Sequence, residues 1–186
     1  MMRALAQASR LLPRPLARLC RDRRGVSAVE FAMVAPLMVA LYLGCAEISD
    51  GVAIDRKVSL TAAALANLSS QATTITTADM TNILDAATAI VAPYSGSPLK
   101  MSVSCIKFDA SKNMTVKWTA LRNASVPTIT VPDPLKVANT QLIYAEVSYA
   151  YTPTVGYTIT GSLTLSDHMF MAPRITAPTY GALACT

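Results

Sequence analysis

An uncharged apolar run dominates the first quarter of this chain. Phe31–Ala46 carries no charged side chain, and residues 26–46 (VSAVEFAMVAPLMVALYLGCA) contain only one, Glu30. A helix rises about 1.5 Å per residue, so about 20 apolar residues span the hydrocarbon core of a bilayer. The segment therefore predicts one transmembrane helix. Pro36 lies inside it; in the membrane a proline bend is tolerated because neighbouring groups satisfy the freed carbonyl.

Charge is divided sharply around this run. Residues 1–25 hold seven arginines against Asp22, a net of +6, and the rest of the chain is close to neutral at −1. The overall +5 is thus a property of the leader. Basic residues hold the flank of a spanning helix in the cytoplasm, which predicts a cytoplasmic N-terminus and an extracytoplasmic C-terminal part. Nucleic-acid binding needs an excess of cations on the folded surface, and the near-neutral balance there argues against it. The four cysteines form no CxxC pair and His168 is the sole histidine. That composition gives no metal site of ordinary ligand spacing, and no Gly-rich phosphate loop or cofactor motif is present.

Beyond the membrane-length run, the helical pattern continues. Ile54, Val58, Leu65 and Leu68, with Ala62, fall near one face, while Asp55, Arg56 and Lys57 lie off it. The helix is expected to extend over residues 47–72, with Gly51 as the weak point at which it can hinge. After the polar break Thr73–Thr77, a second helix is expected over Ala78–Val91, capped by Thr77 or Asp79, with Met80, Ile83, Leu84 and Ala87 on one stripe. Pro93 and the Ser95–Pro98 run end it.

The remainder alternates with period two. Met101, Val103 and Cys105 form one strand. Met114, Val116, Trp118 and Ala120 form a second, across a hairpin loop at Asp109–Asn113. Ile143, Ala145, Val147, Tyr149 and Tyr151 form a third, and Ile159, Gly161, Leu163 and Leu165 a fourth. Ala124–Asn139, with three prolines, reads as a long exposed loop. The fold class is α+β: a long N-terminal helix, a short helix and a small antiparallel sheet, with residues 73–186 as the extracytoplasmic domain.

The string Arg21-Asp-Arg-Arg-Gly-Val-Ser-Ala-Val-Glu-Phe31 joins the basic leader to the apolar run. Gly25 has no side chain, so a protease can approach the next peptide bond closely. Glu30 is an ionisable group near the start of a spanning helix, where such a group is costly and needs a partner. A basic leader, Gly, four residues, Glu, an aromatic and an apolar helix resemble the prepilin peptidase site of type IV pilins. Gly-x-x-x-x-Glu-Phe followed by Ala-Met-Val-Ala-Pro-Leu resembles the TadE family of pseudopilins of the tight-adherence pilus. Val147-Ser-Tyr-Ala-Tyr-Thr-Pro and the strand after it are similar to that family's C-terminal region.

The resemblance implies a pilin-like fold and a role by association rather than catalysis. Residues 1–25 would be a leader removed between Gly25 and Val26. Glu30, beside Phe31, would offset the new amine of a neighbouring subunit. The implied partners are a prepilin peptidase, other pilins and minor pseudopilins, and the assembly platform of the bacterial inner membrane. The implied location is a single pass with the C-terminal domain in the periplasm. No cofactor is implied.

Rival readings remain open. Gly44-Cys45-Ala46 resembles a signal-peptidase site, and Tyr42–Cys45 a lipoprotein acceptor with Tyr42 in place of leucine. Ser166-Asp167-His168 collects three catalytic residue types, but neighbours on a strand point to opposite faces. Cys105 and Cys185, both outside the cytoplasm in this topology, form either a disulfide or two buried thiols. Trp118, Tyr144, Tyr149, Tyr151 and Tyr157 make either a contact face or the packing of the sheet.

Overall fold

The computed structural model describes residues 24–154 and 161–185. Helix α1 (Arg24–Gln71) is followed by β1 (Thr74–Ile75), α2 (Thr77–Ile90), β2 (Leu99–Phe108), β3 (Met114–Arg122), a 3-10 turn (Asp133–Leu135), β4 (Gln141–Tyr151), β5 (Leu163–Met171) and β6 (Thr179–Tyr180). The protein is α+β. It divides into two units between Cys45 and Ala46.

In the first unit, the described residues are helical and outward-facing on every side. Phe31 is 73% exposed and Met33 78%. Such a helix has no polar face to offer water, so it belongs in lipid or among other apolar helices. Gly25–Gln71 contains a window apolar and long enough to cross a membrane.

The second unit is a four-stranded antiparallel sheet in the order β3-β2-β4-β5, with a separate parallel pair β1-β6. The inner core collects Ile54, Val58, Ala62, Leu65 and Ala66 of α1, Met80, Leu84 and Ala87 of α2, and Met101, Val103, Cys105, Ile143, Ala145 and Val147 of the sheet. Burying each large aliphatic side chain contributes about 1.5–3 kcal/mol. The continuous burial along α1 is thus enough to fix the helix extension on the sheet. α1 stays helical through Gly51, where the Tyr151 ring would lie 3.6 Å from an added Cβ.

Several details differ from the sequence pattern. Leu68 is 38% exposed, because the buried stripe runs on through Ser69 and Ser70 instead. Helix α2 starts one residue early and ends at Ile90: Thr76, not Thr77 or Asp79, is the cap. Its hydroxyl accepts from the Asp79 N–H (3.1 Å) and its own N–H donates to the Asp79 carboxylate (3.0 Å). That reciprocal box requires a hydroxyl three residues before the carboxylate.

Met114 and Val116 do not share a face with Trp118 and Ala120. The pairing jumps from Cys105↔Trp118 to Ile106↔Val116, a bulge at Lys117. One extra residue reverses the alternation, so Trp118 and Ala120 are buried while Met114 and Val116 face out.

The 124–139 segment is not simply an exposed loop. Its Val131 is buried and Ile129 half-buried over a second small core of Ile106, Phe108, Leu142 and Tyr144. It covers the part of the sheet's outer face that would otherwise expose those side chains. The fourth strand begins at Leu163, and its expected start at Ile159 lies outside the described residues, as does Tyr157. The Asp109–Asn113 turn joins β2 and β3, with Asp109 Oδ1 accepting from the N–H groups of Ser111 and Asn113 (both 2.8 Å).

Candidate functional site

The N-terminal stretch of α1 holds Gly25, Val26, Glu30 and Phe31. A Cβ added at Gly25 would meet nothing within 4 Å. The fold therefore does not require glycine there, although glycine is a poor helix former. Val26 and Glu30 are one turn apart, hence on one face of the helix. Glu30 is exposed and has no ion-pair partner among the described residues. A carboxylate at such a place in a membrane is costly, roughly 2.5–3.5 kcal/mol for an acid at mid-helix on insertion scales and less toward the interface. Phe31, its neighbour, projects about 100° away around the helix. The leader arginines before Arg24 lie outside the described residues.

The other residues singled out by sequence lie in the second unit. Cys105 and Cys185 are joined in a disulfide, their Cα atoms 6.0 Å apart. It ties the chain's last described residue to the central strand β2. The C-terminal segment it anchors also donates the Thr179 N–H to Thr73 O (3.1 Å) and the Gly181 N–H to Ile75 O (3.0 Å), and so runs beside β1. The Trp118 indole N–H donates to Pro178 O at 3.0 Å, and its ring lies 5.4 Å from that of Tyr180. Trp118 and Tyr149 are thus core residues of the sheet's inner side. Tyr144 belongs to the outer side, where it meets Phe170 and His168.

Ser166, Asp167 and His168 do not assemble into a catalytic group. They are successive residues of β5, with Asp167 paired to Val147 on the inner side and His168 paired to Glu146 on the outer. Asp79 serves the helix cap, and Asp85 accepts from the Arg122 guanidinium at 2.6 Å. Among the described residues no group of three or more His, Cys, Asp or Glu could hold a metal ion.

Two features had no signal in the sequence. The Lys57 ammonium donates to the carbonyls of Ile90 (3.1 Å) and Ala92 (2.6 Å), capping the C-terminus of α2 from α1. Helix C-termini leave carbonyls unpaired and favour cations. The Tyr144 hydroxyl donates to Glu146 Oε2 at 2.9 Å. Burial first, then that carboxylate, push the tyrosine's pKa well above its ordinary value.

The family model described as TadE-like protein matches residues 25–66. This segment is TadE-like. The match begins at Gly25 and takes in Glu30, Phe31, the membrane-length run and the part of α1 that packs on the sheet. Neither the curated proteins nor the solved structures gave a match to the chain. The TadE-like segment therefore carries the functional reading, and the β domain adds its architecture to it.

Proposed function

We propose that the protein is a minor pilin or pseudopilin that takes part in assembling a tight-adherence (Flp) pilus, and that it acts by association rather than catalysis. The observation that carries this is the coincidence of Gly25, Glu30 and an outward-facing apolar helix within one TadE-like segment. The proposal places the N-terminus in the cytoplasm and the domain beyond Glu47 in the periplasm, as the arginine-rich leader favours.

Prepilin peptidase cuts between Gly25 and Val26 in this reading. Residue 25 stands in the first turn of a helix, so the peptidase has to open that turn to reach the bond. Glycine eases the opening and leaves the carbonyl carbon unobstructed. Cleavage makes Val26 an amine and removes the arginines that hold the helix in the membrane. Glu30 then offsets the amine of a neighbouring subunit: two charges that are each costly in lipid cost less together. Other pilins and the inner-membrane assembly platform are the partners.

Mass spectrometry of the mature N-terminus tests the proposal. A chain beginning at Val26 supports it. A chain beginning after Ala46 discards Glu30 and refutes it. A reporter active only in the periplasm, fused after Thr186, tests the orientation: silence there reverses it.

A further inference from the structure

The outer face of the sheet carries a polar cleft that the pilin reading does not use. Its volume is about 330 Å³. That is the lower end of the range for small-molecule sites. The floor is built by the sheet register. Ser102 of β2 stands opposite Glu146 of β4, and Lys100 stands opposite Ser148. All four line the cleft, and residues 124–128 form its wall, with Ser125 and Thr128 adding hydroxyls.

The electrostatics of the floor are specific. Among the described residues the Lys100 ammonium has no hydrogen-bond or ion-pair partner, and it is not bridged to Glu146. Lys100 and Glu146 are diagonal neighbours across the strand pair, about 7–8 Å apart at Cβ and within reach of a lysine side chain, yet no ion pair joins them. Glu146 is held in place through Oε2 by the Tyr144 hydroxyl. The floor therefore offers a fixed anionic acceptor, an unpaired cationic donor and hydroxyls beside them.

That pattern selects a ligand. An anion is opposed by Glu146 and a cation by Lys100. An apolar ligand would strip water from both charges with nothing in return. A neutral polyhydroxylated molecule meets every demand, because each of its hydroxyls donates to a carboxylate or accepts from an ammonium. Pro127 and Val126 in the wall supply apolar contact for the C–H face of a ring. We propose that this cleft binds a neutral carbohydrate of one or two sugar rings.

The test is saturation-transfer NMR on the detergent-solubilised full chain with lactose, cellobiose and maltose, and with glycylglycine as a zwitterionic probe. Transfer to the ring protons of at least one of these sugars is expected, and none to glycylglycine. Lys100→Met and Glu146→Gln should each weaken binding about tenfold or more, the usual scale for losing a hydrogen bond to a charged group. Lys100 is exposed and Glu146 half-buried, so both variants should keep the wild-type circular dichroism spectrum. A Ser125→Trp variant, which fills the cleft from the wall, should bind no sugar. No transfer to any of the sugars, transfer to glycylglycine alone, or undiminished binding in all three variants overturns the proposal.

Discussion

Removing the Cys105–Cys185 link should loosen one identifiable part of the molecule. The two cysteines are separated by 80 residues. In the chain-entropy treatment, closing a loop of that length stabilises the native state by about 4.5 kcal/mol, less whatever structure the unfolded chain retains. For a domain of this size each kcal/mol moves the melting temperature by about 3 °C, so a loss of roughly 10–15 °C is expected. The double variant Cys105→Ala/Cys185→Ala also deletes two buried sulfur atoms. Reduced wild type keeps those atoms and lacks only the bond, so it isolates the entropic part. The assay has a built-in local reporter. Trp118 is the single tryptophan, it is buried, and its indole N–H is held by Pro178 O in the segment that the disulfide anchors. Freeing Cys185 should let that segment leave, and Trp118 emission should shift to the red before the far-ultraviolet circular dichroism changes. A melting temperature within about 3 °C of wild type, together with unshifted emission, would show that packing of β6 on β1 holds the segment without the bond.

Gly25→Leu should block leader removal, because a bulky side chain obstructs the scissile bond, while Glu30→Gln should be cleaved normally but assemble pili poorly; gel shifts and electron microscopy read both, and full piliation of Glu30→Gln would refute the charge-pairing role. Lys57→Met should cost about 1–2 kcal/mol in thermal unfolding, since it strips the carbonyls of Ile90 and Ala92 of their cation; an unchanged melt would mean that water replaces it fully. Hydrogen bonds from the Thr76 side chain, then its backbone N–H, hold the Asp79 pKa below its ordinary 3.8. Its folded value is depressed, so the cap's contribution is complete above the unfolded value and is lost as pH falls from 3.8 through the folded one. The protection of the Thr76 and Asp79 amides, relative to their intrinsic exchange rates at each pH, should fall across that interval, and equal protection throughout would contradict the capping role.

Two kinds of local pattern were readable along the chain alone. Composition and charge mark the apolar run after Gly25, because the hydrophobic effect and the cost of a buried charge act on each residue separately. Periodicity marks the faces of α1 and α2 and the inward rows of β2 and β4, because side-chain direction follows from backbone geometry alone. The roles proposed for Gly25, Glu30 and Phe31 come instead from resemblance to a family, because no periodicity marks them and the fold does not require glycine at position 25. Whatever depends on two distant segments meeting emerges only in the folded chain. The bulge at Lys117 turns Met114 and Val116 outward, and only the pairing of β3 against β2 reveals it. Val131 is buried because Ile106, Phe108 and Leu142 present an apolar outer face that needs a cover. Lys57 caps a helix end 33 residues away. Lys100 and Glu146 come to line one cleft through strand register. Each of these is a long-range pairing, and a linear sequence records the two partners without recording that they meet.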